Sequence, residues 1–308
     1  MNKSVKGIAI AAGAMVLAGI VLAGIGFIAG GKQPVYFDKT GIHVGSEDSA
    51  NGKAEQLSET LDAFDSISTD LDYYNVELVA SDKYAIEAKY NTKYGKLNYK
   101  IENGTLKVDD GRNSKFNIQI DLGALKYNSK NDNQTVKIYY PKDAELKDLT
   151  IKGAASSLSF EKLKLEKAEF DLDFGELDLT DLTAKTIKVS IDSGDCTMKE
   201  ITADRLDVTN DLGQTTLDGG TVKTLIISAD SGDVSVTGVT TDSGNLQLDL
   251  GKLTVKEINS KGLTLEAGSG DIDVQGVLQG VTDIQCDLGS VTVNPSGTKY
   301  QFRYELET

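Results

Sequence analysis

The chain is 308 residues long, enough for one long domain or two modest ones, and its 32 Lys and Arg stand against 47 Asp and Glu for a net charge of −15. Lys3, Lys6 and Lys32 fall in the first 32 positions, where there is no acid, so residues 33–308 carry −18. That balance excludes a phosphate-binding surface, because nucleic-acid affinity comes largely from Lys and Arg neutralising phosphates; no nucleic acid is expected as a partner.

Residues 7–31, "GIAIAAGAMVLAGIVLAGIGFIAGG", hold no charge. A run of that length spans a bilayer at about 1.5 Å per residue, and it exceeds the 7–15 residues of a signal-peptide core. The expectation is an uncleaved signal-anchor helix, with a cleaved signal as the alternative. Lys3 and Lys6 before it place residues 1–6 in the cytoplasm and everything after residue 32 outside. The expected localisation is therefore the cell membrane, single-pass, with an extracellular C-terminal domain. Residues 32–59 are polar and patternless and read as a linker.

From residue 60 to 143 short alternating runs such as "NVELVAS", "YAIEAKY", "LNYKIENGTLKVDD" and "TVKIYYPKD" end in Asn, Gly, Asp or Ser. They predict strands with tight turns, a β-strand cap region closed by Pro141. Three prolines, no tryptophan and 31 glycines agree with many turns and few helices.

A strict repeat fills residues 144–295. Asp-x-Gly recurs at Asp173, Asp192, Asp211, Asp230, Asp249 and Asp287, with Gly268 in the one substituted copy, and the positions keep a constant 19-residue step. One step earlier, Ala154-Ala155-Ser156 holds the slot in degraded form, which makes eight units. Apolar positions keep the same period. Ile151, Phe170, Val189, Val208, Ile227, Leu246, Leu265 and Ile284 precede the turn, while Leu158, Leu177, Cys196, Thr215, Val234, Leu253, Ile272 and Val291 follow it. A third series runs two residues further on, from Phe160 to Val293. A unit this small cannot bury one face alone but stacked copies can, so the prediction is an all-β fold, a β-solenoid.

The residue inside the turn alternates between apolar (Phe174, Leu212, Leu250, Leu288) and serine (Ser193, Ser231, Ser269). The residue after Gly alternates too, with Asp195, Asp233 and Asp271 in the serine copies. Like stacks on like in solenoids, which favours pairing the units into 38-residue coils over a 19-residue coil. In either arrangement Cys196 and Cys286 occupy different columns, too far apart for a disulfide, and both are expected as free inward-facing thiols. Residues 296–308 alternate Tyr300, Phe302, Tyr304 and Leu306 out of phase with the repeat and read as a C-terminal capping strand.

Chemistry is sparse. Asp-Ser-Gly occurs in aspartic proteases, but there two copies must converge so that a carboxylate pair shares one proton, and here the copies stack along a rod. Asp195, Asp233 and Asp271 could instead offer hard oxygen ligands to calcium between coils; the plainer reading is that Gly supplies positive φ and Asp bonds its own turn. His43 is the single histidine and sits in the linker, which removes Ser-His-Asp catalysis and histidine metal sites. In the tyrosine pairs Tyr73-Tyr74 and Tyr139-Tyr140, alternation turns one member of each outward. No residue is assigned a catalytic, cofactor-binding or metal-binding role, and no cofactor is expected.

Phe64-Asp65-Ser66-Ile67 leading into "NVELVAS", the transition "VKIYYPKDAELKDLTIKGAAS" and the train of "SGD" turns together resemble the bacterial putative-adhesin family of β-strand repeat proteins, domain of unknown function 4097. The resemblance spans roughly residues 60–306. It implies a membrane-anchored or exported envelope protein without catalytic residues, used as an interaction module. Expected partners are the membrane, through the single span, and a cell-wall polymer, glycan or membrane protein. The alternatives are an envelope-stress accessory acting through a membrane partner and a calcium-stabilised surface solenoid.

Overall fold

The structure, a computed structural model, describes residues 53–92, 95–111, 134–154 and 156–296, together with the backbone of strands at 35–38, 41–44 and 119–120. The predicted membrane span at 7–31 and most of the capping strand at 296–308 lie outside the described residues. Among the described residues no helix is long and apolar enough to cross a membrane.

The chain divides into two units, residues 1–53 with 113–131, and residues 54–112 with 132–308. In the first, Val35–Asp38 pairs antiparallel with both Gly41–Val44 and Gln119–Ile120. The segment read as a polar linker therefore contains strands here, and its end forms another, Ala54–Thr60, in the second unit. Linker composition hid Ala54–Thr60 because a strand exposed along almost its whole length needs no apolar face.

The second unit opens with a four-stranded sheet ordered Ala54–Thr60, Ala85–Asn91, Gln134–Pro141, Tyr74–Ser81; its last pair is parallel and the others antiparallel. Tyr74 is fully buried while Tyr73 points out, and Phe64 meets Tyr84 edge to face at 4.8 Å. The rest is one continuous stack of parallel rungs. It begins earlier than the repeat does, because Thr105–Asp109 pairs with Ser66–Asp70, and that strand with Asp148–Gly153. The outer end of the stack is closed by an antiparallel hairpin, Asn98–Glu102 on Thr105–Asp109. Its Asn103-Gly104 turn has φ of 51° and 78°, the left-handed pair that a two-residue hairpin requires.

From residue 148 each rung pairs with the matching position of the next repeat unit. Phe170 faces Val189, then Val208, Ile227, Leu246, Leu265 and Ile284. Leu177 likewise leads to Cys196, Thr215, Val234, Leu253, Ile272 and Val291. One coil is therefore a single repeat unit, and the paired 38-residue coil is overturned.

Three bends divide each coil. At the first, the glycines from Gly175 to Gly289 hold φ between +133° and +151°, and from Gly194 onward a β-carbon would collide with the carbonyl oxygen of the glycine one coil before. Only glycine meets both demands, which is why it returns once in every coil from Gly175 onward, Ser156 holding the place in the first. At the second bend Lys162, Asp181, Glu200 and Glu257 take left-handed φ of 51–56°, a place held by Gly219 and Gly238 in other coils. At the third, Lys185 and Thr186 both donate their N–H to the Glu166 carbonyl, and the in-out alternation slips by one. One coil thus turns seven side chains inward: Leu177, Leu179, Leu182, Ala184, Ile187, Val189 and Ile191. The core runs unbroken from Phe64 in the cap to Val274.

Cys196 is buried and Cys286 half-buried, in different columns and unbridged. Burial pushes the Cys196 thiol up to about 12. The core also admits polar groups. The Asn210 amide donates to the Gly194 carbonyl at 3.1 Å and to Thr215 Oγ1 at 3.2 Å, and Thr241 and Ser260 bond backbone carbonyls at the third bend.

Candidate interaction corner

The Asp-x-Gly turns form one corner of the solenoid, where turn lies directly on turn. Phe174, Ser193, Leu212, Ser231, Leu250, Ser269 and Leu288 are successive rungs of one column. Its apolar members are unusually exposed, at 59% for Phe174, 56% for Leu212, 55% for Leu250 and 70% for Leu288. With strands about 4.8 Å apart, these side chains stand about 9.5 Å from one another along the corner.

The alternation that suggested a double coil has another cause. Asp195 Oδ1 accepts the backbone N–H of Gln214 at 2.8 Å, Asp233 Oδ1 that of Lys252 at 2.9 Å, and Asp271 Oδ1 that of Ser290 at 3.0 Å. Each acceptor lies one coil before its donor. A serine turn therefore caps the apolar turn above it, and the cap is needed once per pair. Ser290 adds its hydroxyl to Asp271 at 2.7 Å, and these two bonds hold the Asp271 carboxyl below its usual range. Sequence reasoning singled out the three aspartates but not their amide partners, which the register alone reveals.

Consequently Asp195, Asp233 and Asp271 are two coils apart, about 9.5 Å, and each already holds an amide. They do not converge on a cation, and among the described residues no group of three His, Cys, Asp or Glu is arranged for a metal ion. The Asp-Ser-Gly copies stack in one direction instead of facing each other across a cleft, so no carboxylate pair shares a proton.

A second acidic column runs beside the apolar one, through Asp173, Asp192, Asp211, Asp230, Asp249 and Asp287. Burial, reinforced by Asp192, raises the Asp173 carboxyl above its usual range. At Gly268 the column lacks a side chain. The gap opens a cavity of about 230 Å³ walled by Gln247, Asp249, Glu266, Gln285 and Asp287. Sequence reading noted the substitution but could not see the hollow, which depends on direct stacking.

A stack of similar short coils, with glycine at one corner of seven successive turns and the polar chemistry on its outer columns, defines a β-solenoid repeat protein. The model of the Toastrack family, DUF4097, matches residues 64–302, and the chain belongs to that family. Among solved structures the fold is similar to that of a "putative adhesin" from Bacteroides fragilis, at 15% identity and a TM-score of 0.50, covering 79% of this chain and 98% of that one. A "putative adhesin" from Parabacteroides distasonis is similar at 14% identity and a TM-score of 0.50, with the same coverage. None of the curated proteins matches the chain.

Proposed function

We propose that the chain is a non-catalytic envelope protein whose solenoid is an adhesin-like interaction module, held at the cell surface by the span at 7–31. The observation that carries this reading is the corner itself. Four large apolar side chains, spaced evenly and more than half exposed, stand along one outer corner of the stack. A core-building role does not need them, since serine fills the same rung in the alternate coils. The names of the similar structures support the same class of function. The calcium-stabilised alternative loses ground because its three aspartates are separated and engaged.

The test has two parts. Cells expressing the full chain and a chain lacking residues 1–32 are fractionated and treated with external protease. The full chain should sediment with membranes and be cleaved from outside, and the shortened chain should leave the membrane fraction. Labelled protein is then applied to isolated wall polymer, membrane and envelope-protein fractions. Saturable retention by one fraction supports the module; retention by none overturns it.

A further inference from the structure

Resting on the reading of the solenoid as an interaction module, we propose its partner's chemistry: the corner between Asp211 and Asp287 docks an extended, basic, amphipathic polypeptide segment. Apolar side chains of the segment sit on Leu212, Leu250 and Leu288, and a cationic side chain enters the notch at Gly268.

Charge makes the first argument. The five turns 211–214, 230–233, 249–252, 268–271 and 287–290 contain Asp211, Asp230, Asp233, Asp249, Asp271 and Asp287 against the single base Lys252. Ion pairs do form on other faces of the solenoid, as in Lys185 with Glu166, Arg205 with Asp207, Lys223 with Asp204 and Lys261 with Asp242. Asp211, Asp230, Asp249, Glu266 and Asp287 have no such ion pair among the described residues; Glu266 Oε2 accepts from Gln247 Nε2 at 2.9 Å and Asp287 Oδ1 from Gln285 Nε2 at 3.4 Å, neutral partners that leave the negative charge in place. A stripe of leucine rungs flanked by unmatched carboxylates attracts a partner that is both apolar and cationic. A second copy of the chain would bring the same acidic columns against these. An anionic lipid surface would be repelled likewise.

Spacing makes the second. Leucine rungs about 9.5 Å apart match the roughly 9.3 Å turn of a polyproline-II chain, which returns every third residue to one face. A helix offers about 10.5 Å over seven residues and drifts out of step by the third rung. The notch makes the third: it lies between the Leu250 and Leu288 rungs, and its Asp249, Glu266 and Asp287 oxygens suit an ammonium or guanidinium group.

The probe is a synthetic peptide of four Lys-Lys-Leu repeats, titrated onto the full chain by calorimetry. A Lys-Lys-Ser peptide isolates charge, and a Glu-Glu-Leu peptide isolates apolar contact. Two variants borrow residues this corner already uses in other coils; a β-carbon at Gly268 comes within 3.0 Å of the Asp249 carbonyl oxygen, so each variant's melt is compared with the native chain's before titration. Leu250→Ser with Leu288→Ser removes two rungs, and Gly268→Asp fills the notch while adding negative charge. The Lys-Lys-Leu peptide should bind at least about tenfold more tightly than either control, and both variants should weaken it by about tenfold. Equal binding of Lys-Lys-Ser, or tighter binding to the Gly268→Asp chain, would reduce the effect to bulk charge and overturn the proposal. Preference for anionic vesicles, or self-association that the Leu→Ser pair abolishes, would overturn it in favour of those occupants. If the peptide fails while an envelope fraction still retains the protein, only this proposal falls; if both fail, the module reading falls too.

Discussion

Substituting Gly232 with alanine brings two costs together. Its φ of +133° lies where an L side chain is strained by about 1–3 kcal/mol, and the new β-carbon would collide with the Gly213 carbonyl. The melting temperature should fall by roughly 5–10 °C, whereas Gly238→Ala should cost only about 1 kcal/mol. The control is fair because Gly238 has space around it and its column already holds Glu200 and Glu257. Equal shifts in the two melts would show that stacking at the glycine corner is not the constraint. Asp271 gives a pH signature. Its folded carboxyl is held below the ordinary value near 3.8, so its contribution is present above pH ~4 and is lost as pH falls below that. The gap in melting temperature between the native chain and Asp271→Ala should therefore close on acidification; a constant gap would mean that packing, not the Ser290 bonds, sets it. Separated aspartates also predict that melts in millimolar calcium and in EDTA coincide, and an upward shift with calcium would restore the metal reading.

Because one repeat unit makes one coil, removing residues 214–232 should leave a folded stack with one coil fewer. Removing residues 214–223 should not, since about half a coil would bring inward columns to the outside. Circular dichroism and hydrogen exchange distinguish these outcomes. The shorter stack would set Asp195 and Asp233 on neighbouring coils about 4.8 Å apart, so its melting temperature should rise with salt more steeply than that of a chain lacking residues 214–251, where alternation survives. Much of this architecture was legible beforehand: the constant repeat step, three inward columns and the free cysteines came from spacing, and the family from the resemblance of its motifs. The coil length was misjudged for a physical reason. Turn composition repeats only in every second coil because Asp233 caps Lys252 one coil above, and a cap that reaches across coils doubles the chemical period without doubling the geometric one. The second bend escaped notice because Lys162, Asp181, Glu200 and Glu257 are non-glycine residues in left-handed conformation, with no turn signature of their own. The columns through Leu182 and Ile187 obeyed the same period, but the slipped alternation between them disguised an inward face.

A rod of parallel rungs has two ends, and at the scale of the solenoid the ends decide whether it stays single. At one end the antiparallel hairpin Asn98–Asp109 closes the ladder, and it carries Lys100, Glu102 and Lys107 in ion pairs on its exposed side. The other end differs. Thr282–Leu288 pairs with Leu263–Ser269 on one side only among the described residues. There Ile284, Cys286 and Val293 are half-covered, Val291 is 44% exposed and Val281 is 78% exposed. An edge of this kind, apolar inside and unpaired along its backbone, joins readily to another edge. Residues 297–308, with Tyr300, Phe302, Tyr304 and Leu306 in alternation, carry the sequence pattern expected of a capping strand, and their removal tests that expectation. If they cap the stack, removing them should produce end-to-end assemblies whose mass, followed by light scattering, exceeds that of the full chain and grows with protein concentration. A net charge of −15 opposes such contacts, so the assemblies should grow with added salt, the reverse of what salt does to binding of a basic peptide at the corner. Should the shortened chain stay monomeric at every salt concentration, the last coil would be stable with its edge bare, and the aromatic tail would need another role.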